Sequence, residues 1–304
     1  MSVALAGPRA RRLALAYLDL TKPRIVSLVL VTGLPALLIA AGGVPPASIL
    51  WGTLSGIALA AGSAACFNHY VDRDIDALMR RTASRPLPSG VLPPAHALAL
   101  GFGLAALSWL VLTATTNLLA AWLAMGSIVY YAVFYTIWLK RRTPQNIVIG
   151  GGAGASAPLI AWAAVTGHVG LPAIVLSMIV FLWTPPHFWA LALYRRDDYA
   201  RAGIPMLPVT HGEEETRLQI VLYTMALVPV TLAVWPLGAA GPVYGVPATL
   251  LGLAFLHYAL RLRRTGAVVH AVHLFRFSIL YLFALFVLLT LDALVRSAWP
   301  GGGR

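Results

Sequence analysis

"ASILWGTLSGIALAAGSAACFNHYVDRDIDALMRRT", residues 47–82, is the stretch whose reading decides the fold. Residues 47–67 carry no charge, whereas residues 68–82 hold Asp72, Asp74, Asp76, Arg73, Arg80 and Arg81. About 20 consecutive apolar residues are what a helix needs to cross a bilayer. The apolar part shows no period-two alternation, so it reads as a spanning helix and not as a barrel strand. The charges that follow mark where the helix leaves the membrane.

The same pattern runs through the chain. Of its 304 residues, 59% are hydrophobic and 11% charged, against about 45–50% and about 25% in soluble domains. Eight further apolar stretches, near 25–42, 95–113, 118–138, 146–165, 171–193, 218–236, 244–260 and 274–293, are long enough to span. The fold class is therefore all-α, a polytopic membrane protein of nine transmembrane helices. Short links leave no room for a separate soluble domain, so residues 1–304 read as one integral-membrane domain with 1–22 as its N-terminal segment. That segment carries charge and Pro8, and the apolar stretch after it exceeds a signal-peptide core, so no cleavage is expected. The lone Cys66 reads as packing.

Positive charge orients the bundle. Every Lys and Arg except Arg296 and Arg304 falls in the N-terminal segment or in alternate links and their edges; the four opposite links have none. The positive-inside rule then places the N-terminus and residues 1–22 in the cytoplasm and the C-terminus outside. The net charge of +12 is explained this way. Nucleic-acid binding is not expected, and the lipid bilayer is the partner that the charges face.

The acids are not explained by topology. Eight of the ten lie in the links after spans 2 and 6. If span 2 continues as a helix, Asn68, Asp72 and Asp76 share one face over about 12 Å, and Asp74 points away. An amide oxygen and two carboxylates are hard donors suited to Mg²⁺, which keeps other positions for water and phosphate. The alternative is a solvated helix end in which Asp76 pairs with Arg80. The second cluster, "YRRDDYARAGIPMLP" at 194–208, lies on the same side of the membrane. Carboxylates for metal beside Arg and Lys for phosphate oxygens make a diphosphate the natural guest.

At these residues the chain resembles the UbiA superfamily of intramembrane prenyltransferases. Asn68-x-x-x-Asp72-x-x-x-Asp76 matches the first aspartate-rich motif, and "RTASRPLPSG" at 81–90 matches the segment after it. "DLTKPRI" at 19–25, "LKRRTPQNIVIGGGAGA" at 139–155 and "WTPPHFWALAL" at 183–193 resemble the branch that farnesylates protohaem IX. The resemblance implies nine helices around a central cavity, with both acidic links at its mouth. It implies Mg²⁺ as cofactor, and farnesyl diphosphate and haem B as substrates. The allylic C1–O bond ionises, the farnesyl carbon joins a haem vinyl group, and water supplies the hydroxyl of haem O. Asn68, Asp72 and Asp76 carry over as the first metal site, and Asp197 and Asp198 as the second. The superfamily's usual second D-x-x-x-D is absent, since the residues four away from them are Leu193, Arg201, Tyr194 and Ala202. A multi-pass protein of the cell inner membrane is also implied, with a haem A synthase or terminal-oxidase assembly factor downstream.

Asp72, Asp76, Lys140 and His187 are the candidate catalytic residues. Diphosphate candidates are Lys22, Arg24, Arg81, Arg85, Lys140, Arg141 and Arg142, with Lys140 and then Arg85 foremost. Aromatic faces stabilise an allylic cation, and spans 4 and 6 supply Tyr131, Phe134, Tyr135, Trp138, Phe181, Trp183, Phe188 and Trp189. His187 lies inside an apolar span after Pro185 and Pro186, where an irregular backbone lining a cavity is expected. It reads as an axial haem ligand, a proton-transfer group or a hydrogen-bonded structural residue. "IGGGAGASAP" at 149–158 reads as close helix contact and not as a nucleotide loop. The competing functions are a prenyltransferase for a quinone precursor such as 4-hydroxybenzoate, a cation transporter, and a non-catalytic haem-handling protein. Transporters place coupling carboxylates near the bilayer midplane, and here every acid lies at a span end or in a link.

Overall fold

The computed structural model describes residues 8–298; Arg304 lies outside them. Among the described residues, nine helices are long and apolar enough to cross a membrane, and no strand occurs. A short α1 (Pro8–Leu20) precedes α2 (Pro23–Ala41), α3 (Ala47–Leu78) and α4 (Pro94–Thr115). The fourth span joins α5 (Leu118–Val129) to a π-helix at Tyr130–Leu139, and the fifth is split into α6 (Asn146–Gly154) and α7 (Ser156–Thr166). Then come α8 (Leu171–Tyr194), two short helices α9 (Arg196–Arg201) and α10 (Leu207–Thr210), and the last spans α11 (Gly212–Ala233), α12 (Pro242–Thr265) and α13 (Val268–Ala298).

The helices overrun the apolar stretches. Hydropathy marks burial in lipid, whereas the backbone ladder continues wherever nothing stops it. Helix α3 runs eleven residues past Phe67, which keeps Asn68, Asp72 and Asp76 helical. Helix α11 begins at Gly212, and its Glu213, Glu214 and Glu215 sit in the first turn, where the helix dipole favours acids.

The fourth span departs from α geometry near the interior. In the π-helix the bonds run from i to i−5: the amide of Lys140 donates to the Tyr135 carbonyl at 2.8 Å. The Thr136 hydroxyl donates to the Tyr131 carbonyl, also at 2.8 Å. The expected irregularity at Pro185-Pro186 is not found, since α8 runs through both prolines as one helix. Each proline lacks one amide donor, a local loss, while α8 is held along its length by α6, α11 and α13.

Glycine decides one close approach. A Cβ on Gly150 would stand 2.2 Å from the Tyr135 ring, and one on Gly151 would stand 3.0 Å from the Thr184 side chain. The glycine run therefore lets the π-helix and α8 rest on the backbone of α6. Cys66 is buried with Leu20 and Leu87, as packing requires. At the far end, the buried Asp292 of α13 accepts the amides of Gly241 at 2.7 Å and Tyr244 at 3.2 Å, capping α12 from another helix.

Gly150→Val is expected to displace Tyr135 and cost about 1–3 kcal/mol, read as a lowered melting temperature of the purified protein in detergent. Gly103 is the control, because a Cβ there would meet nothing within 4 Å. Gly103→Ala should leave the temperature unchanged or raise it. Equal behaviour of the two variants would refute the packing role.

Candidate active site

Helix α3 delivers the first acidic motif on one face. Asn68, Asp72 and Asp76 are all buried, and the Asn68 amide nitrogen donates to Asp72 Oδ2 at 2.7 Å, one turn away. Asp74 points outward and takes both arms of Arg141, at 2.6 and 2.7 Å. Lys140 Nζ reaches Asp72 Oδ2 at 2.5 Å across 68 positions of sequence. Lys22 Nζ donates to Asn68 Oδ1 at 2.6 Å, and the Asn68 amide also reaches Thr136 Oγ1 at 3.2 Å.

Asp76 pairs with Arg85 at 2.6 Å and not with Arg80. The helix stops at Leu78, and the link folds back through turns at Thr82 and Arg85, where the Thr82 hydroxyl donates to the Asp76 carbonyl at 2.9 Å. Arg80 is left exposed. Asp72 Oδ1 is fully buried and has no hydrogen-bond partner. Buried carboxylate oxygens are ordinarily satisfied; this one has no partner among the described residues, and Asp72 sits behind the cavity lining that Asn68 and Asp76 form.

A cavity of about 430 Å³ opens beside this face. Its polar end is lined by Lys22, Asn68, Asp76, Arg81, Arg85 and Lys140. Further along the π-helix, α8 and α13 the lining turns aromatic and apolar, with Tyr131, Tyr135, Trp183, His187, Phe188 and Phe275. Lys22 is the one non-glycine residue at positive φ among the described residues, at 51°, a strained conformation of the kind that clusters at functional sites. Burial pushes its ammonium down to about 7, helped by Arg85 and Lys140 and opposed by Asp72 and Asp76. Cations outnumber carboxylates here, and an anion would relieve the excess.

The second acidic link contributes differently from the first. Asp198 is buried and paired with Arg201, with Arg195 at 3.9 Å, while Asp197 is exposed. Neither lines the cavity; their neighbour Tyr199 does. Burial pushes the Tyr199 phenol up, opposed by the positive charge of Arg81. Arg24, Arg141 and Arg142 are exposed and stay outside the lining, Arg141 because Asp74 holds it. Phe134 and Trp138 face outward, and Trp189 packs against Tyr223.

His187 is buried in the cavity wall. Its Nδ1 lies 2.7 Å from Ser278 Oγ, and its ring is sandwiched by Trp183 at 4.4 Å and Phe275 at 4.7 Å. Asn146, also lining, is held by the Thr143 carbonyl at 2.7 Å, which leaves its buried Oδ1 unpartnered. Nothing in the sequence singles out Asn146, Tyr199, Phe275 or Ser278. Asn146 and Tyr199 do fall within stretches that carry the family resemblance, whereas the last span offers no signal beyond its apolar character.

Among the described residues no group of three or more His, Cys, Asp or Glu is arranged to hold a metal unaided. That fits Mg²⁺, which takes one or two carboxylates and completes its shell with water and substrate phosphate. A larger cavity, about 670 Å³, lies at the opposite end, but its only ionisable lining groups are Asp292 and Arg296, both engaged within the protein. The smaller cavity gathers a cluster of cations and aromatic residues that the larger one lacks.

Known proteins match this chain in sequence and in fold. The UbiA prenyltransferase family matches residues 29–280. A protoheme IX farnesyltransferase of Acidiphilium cryptum is 53% identical over 288 residues, covering 92% of this chain and 90% of its own. Another from Marinobacter nauticus is 52% identical over 279 residues, covering 92% of each. Among solved structures, a digeranylgeranylglyceryl phosphate synthase superposes with a TM-score of 0.77 at 17% identity, covering 92% of this chain and 98% of its own. A UbiA homolog from Archaeoglobus fulgidus, bound to DMAPP and Mg²⁺, gives 0.63 at 18% identity, covering 92% and 99%. With the matched segment spanning most of the nine helices, the chain belongs to the UbiA prenyltransferase family.

Proposed function

We infer that the protein moves the farnesyl group of farnesyl diphosphate onto a vinyl group of haem B, with addition of water, to give haem O. The observation that carries the chemistry is one cavity that joins a cation-rich mouth, backed by the buried Asp72–Lys140 pair, to an aromatic wall. The choice of haem and farnesyl follows the two relatives named protoheme IX farnesyltransferase, each more than half identical to this chain. The proposal extends to a single domain over 1–304 in the cell inner membrane, with the basic end cytoplasmic.

Asp72, Asp76 and Asn68 would hold Mg²⁺, which when bound would offset the negative charge of the diphosphate. Lys22, Arg81, Arg85 and Lys140 bind the phosphate oxygens and stabilise the charge that develops as the C1–O bond breaks and its electron pair leaves with diphosphate. Tyr131, Tyr135 and Tyr199 present π-faces to the allylic cation. The vinyl electron pair then forms the new carbon–carbon bond, water adds to the resulting cation, and a proton is released. Asp198, held by Arg201, orders the link that carries Tyr199; a metal-binding role for Asp197 and Asp198 rests on the family likeness. So does a haem A synthase or terminal-oxidase assembly factor as recipient of the product.

Purified protein given haem B, farnesyl diphosphate and Mg²⁺ should yield haem O, read by mass spectrometry of the extracted haem. Turnover of 4-hydroxybenzoate with no haem O would replace this reading with the quinone-precursor alternative.

Asp72→Ala should lower turnover at least about 100-fold while ferric haem still binds; retained activity would remove Asp72 from the metal site. Lys140→Ala leaves the Asp72 charge buried and unpaired, a change that costs about 3–5 kcal/mol. Adding Asp72→Ala to it should therefore recover stability, and additive losses in thermal unfolding would deny the coupling.

For orientation, cysteines placed at Ser89 and Val44 should react with a membrane-impermeant maleimide in inverted vesicles and intact spheroplasts respectively. The reverse labelling would invert the topology.

A further inference from the structure

Resting on the haem reading above, we infer that Ser278 is a positioning residue: it fixes His187 with its proton on Nδ1 and its Nε2 lone pair free to ligate the iron of a haem in the cavity. Ser278 lies on α13, in the region where the sequence shows only apolar character, and it is fully buried.

The direction of one proton decides the tautomer. A serine hydroxyl has a single hydrogen to donate. Ser278 Oγ stands 2.7 Å from the Phe275 carbonyl oxygen and 2.7 Å from His187 Nδ1. The carbonyl can only accept, so an O···O approach this short requires the serine proton between them. Oγ is then the acceptor toward His187, and Nδ1 must carry the imidazole hydrogen. A neutral imidazole has one such hydrogen, so Nε2 is left with its lone pair.

The surroundings direct that lone pair. Trp183 stacks on one side of the ring at 4.4 Å and 19°, and Phe275 stacks at 4.7 Å and 24°. Phe188 meets the ring edge-on at 5.0 Å. Trp183 is itself tied to the same residue, its indole N–H donating to the Ser278 carbonyl at 2.7 Å. With its faces covered and Nδ1 engaged, the ring offers its Nε2 edge. Nε2 has no hydrogen-bond partner among the described residues and is not sealed from solvent, and His187 lines the cavity.

Iron coordination needs a lone pair approached end-on in the ring plane. Metal-ligating histidines nearly always donate their other N–H to a fixed oxygen, which sets tautomer and ring orientation. Proton donation by neutral His187 into the cavity is excluded by the same geometry, because the hydrogen points at α13.

The test uses the full chain in detergent with ferric haem B as the probe, without farnesyl diphosphate. Affinity is read by absorption titration, and ligation by the iron–imidazole stretch in resonance Raman spectra after reduction. Wild type should show a histidine-ligated haem. Ser278→Ala should bind ferric haem about 10–100-fold more weakly, the usual effect of removing such a partner, with a shifted stretch. Ser278→Thr, which keeps the hydroxyl, should restore both. His187→Ala should lose the stretch and regain an imidazole signature when free imidazole is added. Wild-type affinity and stretch in Ser278→Ala, with both lost in His187→Ala, would overturn the role of Ser278 and leave the ligand. An unchanged spectrum in His187→Ala would overturn ligation itself. Absence of haem binding by the wild type would sink the haem reading on which both stand.

Discussion

Asp72 Oδ2, held at once by Lys140 at 2.5 Å and by Asn68 at 2.7 Å, is the contact from which the basic end of the bundle is hung. A carboxylate removed from water needs partners of opposite charge and well-placed donors. Here they come from the end of the π-helix and from α3, with Lys22 at the start of α2 joined through Asn68. Segments separated by 46 and 68 positions in sequence are thereby fixed around one charge. The π-helix ends at this charge, where the Lys140 amide bonds the carbonyl of Tyr135 five residues back, and both side chains line the cavity.

One oxygen of that carboxylate is consumed by the architecture, and the other is left over. The same division recurs at His187, where Nδ1 serves α13 and Nε2 serves nothing in the described chain, and at Asn146, whose amide nitrogen is tied down while its oxygen is not. Each group is immobilised through one atom and leaves the other without a partner among the described residues. That is how preorganised sites are built: orientation is settled before any guest arrives, so little reorganisation accompanies binding.

The membrane fold and the first acidic face were legible in the sequence because both follow from periodicity. Apolar length fixes the spans, and a four-residue step fixes which side Asn68, Asp72 and Asp76 occupy. Long-range partners were not legible. Nothing local says that Asp76 meets Arg85 and not Arg80, because that depends on where α3 stops and how the next link folds back. Arg141, Arg142 and Arg24 carry the same charge as Lys140 and Arg85, and only tertiary packing sorts those that enter the cavity from those that remain outside. Ser278 was invisible for a related reason: a lone serine in an apolar span is common, and its meaning comes from a histidine 91 positions away. The Pro-Pro step misled because proline removes donors without dictating that a well-packed helix must break.

Asp292 sits at the other end of the molecule, away from all this chemistry, and closes the amides that begin α12. The Gly241 carbonyl takes the Tyr244 and Gly245 amides within the first turn of α12, but the Gly241 amide finds its acceptor only on α13. A nascent chain that has emitted α12 but not α13 lacks the carboxylate that the Gly241 amide bonds in the folded protein. The order of translation and the order of structural completion are thus opposed at this point: the eighth span waits for the ninth. The same α13 supplies Ser278 and Phe275 to the cavity wall, so the cavity acquires its final side in the step that completes the fold.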